Sequence, residues 1–205
     1  MNVLLTFILI MLISYCIWYN VSIYNENMYV ISDVDNQKYL IRGGKNKSEY
    51  FLKESANMLA EINRRVNILI DYLYDKYKDD DSMNYLIMHL KRNYSVDKIS
   101  EAATDSKHTT YTVNKREMHI CLRTRDVNEK LYDINLLMYV IIHELAHMAN
   151  YDTNKKPIIG HGIEFKKIFR LLVIESINIG IYKYIDYRKT PAEYCGLNLY
   201  TQIAA

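Results

Sequence analysis

The chain divides by the way its apolar residues are spaced. From Val3 to Tyr19 the run VLLTFILIMLISYCIWY carries no charge and is apolar on every side. At about 1.5 Å per residue it gives roughly 26 Å of helix, and a short extension past Asn20 would let it cross a bilayer. We therefore expect an uncleaved transmembrane anchor over residues 1–24, because the basic residues and small-x-small site of a cleaved signal peptide are not present. Residues 25–47 read as a linker in which YVISDVDNQKYLIRGGKNK encodes one or two short strands and a Gly-Gly turn.

The pattern changes at Ser48. Leu52, Ala56, Leu59, Ile62, Val66, Leu69, Ile70 and Leu73 recur at steps of three and four, which predicts a long amphipathic helix to about Tyr77. KDDDS ends it, a shorter helix follows from Met83 to Tyr94, and Ser95 begins a connector. TTYTV (Thr109 to Val113) and MHICL (Met118 to Leu122) alternate as strands around Asn-Lys-Arg-Glu, a hairpin. Asp133 or Asn135 is placed to cap a helix from about Ile134 to Asn150, whose segment Leu136 to Ile142 is apolar all round and so buried. A last helix spans about Gly162 to Asn178, and the tail after it has no clear period. The expected fold class is α+β: a mostly helical domain over 48–205, with a small sheet and its motif core at 109–178, preceded by the transmembrane helix.

Composition narrows this little. A net charge of +2 in 205 residues gives no whole-chain electrostatic case for nucleic acid. The three cysteines include no CxxC pair, and Cys121 and Cys195 are the only possible pair within the domain; two free thiols are expected there. The anchor implies a single-pass membrane protein of a virion or host membrane with the bilayer as a partner. Lys38, Arg42, Lys45 and Lys47 lean the domain toward the cytoplasmic side, whereas the glycosylation triplets at Asn20, Asn46 and Asn93 matter only if it is lumenal.

One stretch does not fit an apolar helix. HELAHMAN, residues 143 to 150, places two imidazoles and a carboxylate in the buried segment, and each loses hydration there without a partner. His143 and His147 are four apart, one turn above each other on one face, so both can reach a single ion. Glu144, the next position round, can take a proton from water beside that ion without ligating it. A catalytic zinc site keeps three protein ligands, and His161 in IIGHGIEF is the available third, with Gly160 and Gly162 allowing close backbone approach. His119 falls on the strand near the site in a core or surface role rather than as a fourth ligand. Tyr151, Tyr182, Tyr184 and Tyr187 are candidate donors to a transition-state oxyanion, with none singled out.

His143-Glu-Leu-Ala-His147 followed by Gly160-His161-Gly162 and Phe165 resembles the SprT-like and WLM-type zinc metallopeptidases, minimal zincins sharing HExxH, a loop and GHG-x-x-F. The resemblance covers roughly Thr109 to Phe169 and reaches WLM-like domains of large DNA viruses. It implies a Zn²⁺-dependent endopeptidase with His143, His147 and His161 as ligands, Glu144 as general base, and protein or peptide as substrate. The chain lacks the C-terminal cysteine zinc ribbon of better-studied members, which separates it from their action on DNA-crosslinked proteins. Two other readings stand beside it: a catalytically silent, membrane-tethered scaffold that keeps zinc for folding, and a DNA-tracking protease whose apolar N-terminus is removed.

Overall fold

The computed structural model describes residues 3–24, 27–43, 48–103, 109–152 and 154–200, with the side chains of 3 and 20–24 left out. Its secondary elements are helices α1 (Val3–Tyr24), α2 (Glu49–Tyr77), α3 (Asp81–Asn93), α4 (Ile134–Ala149) and α5 (Ile163–Asn178), and strands β1 (Asn27–Ile31), β2 (Lys38–Arg42), β3 (Ile99–Glu101), β4 (Tyr111–Val113), β5 (Glu117–Ile120), β6 (Ala192–Tyr194) and β7 (Leu197–Leu199).

Helix starts follow local chemistry. The side chains of Ser48, Asp80 and Asp133 each accept backbone N–H bonds from the first turn, satisfying donors that no preceding carbonyl can reach. All eight apolar positions expected on one face of α2 are buried, and that face lies against β1, β2 and β3 as well as α3, α4 and α5. One contiguous core results, running from Tyr39 and Ile41 on β2 through α2 and α4 to Phe165 and Phe169 on α5.

The fold class differs from the expected α+β arrangement with a small sheet. The protein is mixed α/β: among the described residues, five α-helices accompany a five-stranded sheet of order β1-β2-β3-β5-β4. β1 pairs antiparallel with β2, and β4 with β5, but β2–β3 and β3–β5 are parallel. The parallel pairs are what the sequence hid. β3 is three residues long and buried throughout, so it shows no alternation, and it joins β2 only through the crossover of α2 and α3. β4 is left at one edge, over α4.

The membrane anchor is also corrected. α1 forms, but among the described residues no helix is long and apolar enough to cross a membrane. Single-pass localisation, with the lean of the domain to one side, falls with it. Asn93 does not serve as a glycosylation site in the folded chain: it is 2% exposed and its amide donates to the Met148 carbonyl and the Tyr151 hydroxyl. Asn46 lies outside the described residues, as does the side chain of Asn20.

The expectation of two free thiols fails as well. Cys121, just after β5, and Cys195, in the turn between β6 and β7, form a disulfide with Cα atoms 6.5 Å apart. Tyr194 adds to the attachment, since its hydroxyl donates to the Cys121 carbonyl and bonds Thr110. The β6–β7 hairpin, invisible to periodicity because each strand has three residues, is thereby held to the sheet beside β4.

Candidate metal centre

α4 ends at Ala149, and its last two turns carry His143, Glu144 and His147. The chain then loops back through Pro157 to Gly160, whose φ of +87° only glycine adopts freely, and presents His161 immediately before α5. Gly160 is required for its backbone conformation rather than for close approach, since a Cβ there would meet nothing within 4 Å; Gly162 needs neither.

The three histidines converge. Nε2 of His147 lies 3.2 Å from Nε2 of His143 and 3.1 Å from that of His161, and the third side of the triangle is 3.0 Å. Hydrogen bonds cannot account for this: each neutral ring has one N–H, and three nitrogens aimed at a common point leave lone pairs facing one another. A tetrahedral zinc at about 2.0–2.1 Å from each nitrogen would hold them about 3.3 Å apart, so the set fits a small cation with little movement. Among the described residues this is the one group of at least three His, Cys, Asp or Glu side chains that could hold a metal ion.

The surroundings favour neutral imidazoles. Burial, then the neighbouring histidines, pushes His143 down to about 3; burial, then His161 and Lys115, pushes His147 down to about 4. Phe165, two residues into α5, packs its ring against all three imidazoles at centroid distances of 4.9, 4.3 and 4.7 Å. It forms an apolar backing that fixes their planes.

Glu144 is 6% exposed, and burial pushes its carboxyl up to about 7 against the opposing hydrogen bond from Thr112. The Thr112 hydroxyl, on edge strand β4, donates to Oε2 at 2.7 Å. A carboxylate titrating near neutrality at the mouth of a cleft is suited to proton transfer. His143 and Glu144 line two connected depressions of about 750 and 790 Å³, one on each side of the histidine cluster.

Other expected residues take other places. His119 on β5 bonds Ser100 Oγ at 2.9 Å and stacks on Tyr111, outside the cluster. Tyr182 and Tyr187 are in the core, and Tyr184 is exposed. Of the four tyrosines considered, only Tyr151 lines the cleft, with its ring on His89. Sequence reasoning missed Thr112 and also Lys115. The latter sits in the β4–β5 turn, where Asn114 and Lys115 both adopt positive φ, and its Nζ donates to the carbonyls of His147, Asn150 and Ile158. The turn was legible from Asn-Lys, but its docking onto the end of α4 has no local signal.

A protein of Acanthamoeba polyphaga mimivirus, uncharacterized protein R325, is 40% identical over 174 residues, spanning 84% of this chain and 82% of its own. This chain belongs to the R325 family. A second viral protein, uncharacterized protein 042R of Invertebrate iridescent virus 3, is 41% identical over 90 residues, 43% of this chain and 50% of its own. Uncharacterized protein 136R of Invertebrate iridescent virus 6 is 21% identical over 150 residues, 73% of this chain and 78% of its own. No family model and no solved structure matches. The names of these three viral proteins state no activity, so function is argued from the centre itself.

Proposed function

We propose that this member of the R325 family is a zinc-dependent metallopeptidase of the SprT-like or WLM-like kind, hydrolysing peptide bonds with an activated water. The observation that carries the reading is the triangle of Nε2 atoms with sides of 3.0–3.2 Å and the buried Glu144 carboxylate beside it. His143, His147 and His161 would hold the ion. When bound, zinc supplies Lewis acidity, polarising a carbonyl and bringing the pKa of a water to about 7.

The chain's own part is proton transfer and positioning. Thr112 fixes one oxygen of Glu144, and no other protein donor contacts that carboxylate among the described residues, so it can accept a proton from the attacking water. Glu144 then returns the proton to the nitrogen of the leaving amine, which would otherwise depart as an anion. Phe165 and the apolar flank of α4 limit water around the reacting groups. Glu144 is what separates an enzyme from a zinc-stabilised scaffold, because a structural site needs ligands but no base.

The test uses the full chain purified with zinc: metal content by elemental analysis, and digestion of an unfolded protein such as casein by wild type and Glu144→Gln. One zinc per chain in both, with cleavage only by wild type, is the expected result. Zinc in both with no cleavage by either would favour the scaffold, and absence of zinc would remove the basis of the proposal.

A further inference from the structure

The cleft beside the histidines is asymmetric. On one side, β4, Tyr151 and Lys115 make a polar wall. On the other, a depression of about 750 Å³ is walled by Val140 of α4, Phe165 and Phe169 of α5, and Leu197 and Leu199 of β7. That volume accommodates the largest natural side chains, and its walls offer them apolar surface. The β6–β7 hairpin supplies one wall, held there by the Cys121–Cys195 disulfide and by Tyr194.

Two cations line the same depression. Lys166 and Arg170 are four residues apart on the solvent side of α5, one turn above each other, and neither has a carboxylate partner among the described residues. The one carboxylate lining the depression is Glu144, which the proposed chemistry occupies. An apolar slot with two unpaired cations along it is complementary to a bulky apolar side chain with a negative charge close by in the same ligand.

We propose that this depression is the specificity subsite, and that it selects peptides with a bulky aromatic or aliphatic side chain next to the cleaved bond and a carboxylate within a few residues. The carboxylate is that of an Asp or Glu side chain or of the peptide's own C-terminus; both present the same group to Arg170 and Lys166. This inference rests on the peptidase reading for the word cleaved, but the pocket's selectivity can be read without cleavage.

The experiment measures binding of labelled peptides to zinc-loaded, full-length Glu144→Gln by fluorescence anisotropy, and cleavage of the same peptides by wild type. Peptides carry Phe, Leu or Gly at one position and Glu, Gln or Lys nearby, each as free acid and as amide. Phe or Leu should bind about tenfold or more tightly than Gly. Glu should bind several-fold better than Lys at low salt, the difference shrinking as salt rises. Loss of affinity on amidation, with Glu and Gln peptides equal, assigns the carboxylate to the C-terminus; indifference to amidation assigns it to the side chain. Arg170→Glu and Lys166→Glu, with unfolding midpoints measured to confirm their fold, should reverse the order of Glu and Lys peptides. Equal binding of Phe, Leu and Gly peptides, or a charge order that the two variants leave intact, overturns the inference. Selective binding without any cleavage by wild type overturns the peptidase reading while leaving the pocket assignment standing, and cleavage without selectivity does the reverse.

Discussion

Glu101 and Glu144 are both carboxylates withdrawn from water, and they are kept in opposite ways. Glu101, on β3, accepts from the Arg123 guanidinium at 2.7 Å with both side chains almost wholly buried, and also from the Arg42 backbone N–H. Arg123 lies over the Phe51 ring and donates to the Arg42 carbonyl; Arg42 in turn reaches Glu129. Burial raises Glu101, and the two arginines oppose that rise. Glu144 has a threonine hydroxyl, and in the same cleft three imidazole nitrogens converge on one another. The first cluster balances its charge with its own side chains and reads as architecture. The second has no charged partner among the described side chains, and a cation from outside would balance it under the proposed function, which is why it reads as a working site.

The largest effect expected from breaking this contrast is catalytic. Glu144→Gln keeps the shape and the threonine bond while removing the base, so cleavage should fall by about 10²- to 10⁴-fold with one zinc retained. A variant that still cleaves within tenfold of wild type would move the base elsewhere. Next comes Glu101→Ala, which strands Arg123 without its partner. Unfolding in urea should show a loss of about 3–5 kcal/mol, with zinc stoichiometry of the folded fraction unchanged. If zinc binding fell in step, the two clusters would be one.

Cys195→Ser tests whether the hairpin beside the centre is fastened as strongly as the sheet it joins. The disulfide closes a separation of 74 residues, and a bridge of that span contributes on the order of 2–4 kcal/mol. Thermal unfolding should drop accordingly, and the preference for bulky apolar peptides should weaken as the wall carrying Leu197 and Leu199 loosens. Unaltered selectivity in a destabilised variant would remove the hairpin from the pocket's function.

Only the histidine side of this contrast was legible in the sequence; nothing in it marked Glu101 and Arg123 as a pair. Every apolar position expected on α2 is buried, and the HExxH spacing places both imidazoles on one face because helix geometry alone decides it. What failed was non-local. β3 and the β6–β7 hairpin are too short to show a period, and the β2–β3 parallel ladder depends on a crossover of about 60 residues. Cys121 and Cys195 meet only because Tyr194 and Thr110 bring the tail to the sheet. Apolar length at the N-terminus suggested a membrane function that the described helix does not bear out. Residues near in sequence could be read; the docking of one segment on another could not.

A smaller effect distinguishes the two carboxylates by pH. In the metal-free chain, Glu144 is raised from 4.5 to about 7, so the folded state holds its proton more tightly than the unfolded state. Its contribution is therefore most favourable below about pH 4.5 and is lost as pH rises toward 7, by about 3 kcal/mol in all. His143 and His147, pushed down by burial, act the other way and lose stability as pH falls below 6.5. Comparing chelated wild type with chelated Glu144→Gln isolates the first contribution, since both keep the histidines. Between pH 5 and 7.5 wild type should lose about 2–2.5 kcal/mol more than the variant in urea unfolding, and parallel curves would show that the carboxylate is better solvated than its burial implies.

The smallest effect in stability is the one that says most about how the centre is held. Lys115 Nζ joins the His147 and Asn150 carbonyls at the end of α4 to the Ile158 carbonyl in the loop that delivers His161. A cation there satisfies carbonyls that the helix leaves open and opposes the negative end of its dipole. Lys115→Met keeps most of the packing volume and removes the three bonds, at a cost of about 1–2 kcal/mol. If Lys115 were only a cap, the loss would stop there. Because the same ammonium spans two segments carrying ligands, zinc affinity measured by competition with a chromophoric chelator should also fall about tenfold or more, while saturating zinc still gives one ion per chain. Glu101→Ala supplies the control: its folded fraction, though destabilised more, should bind zinc as wild type does. Equal affinities in Lys115→Met and wild type would confine the lysine to the architecture that Glu101 represents.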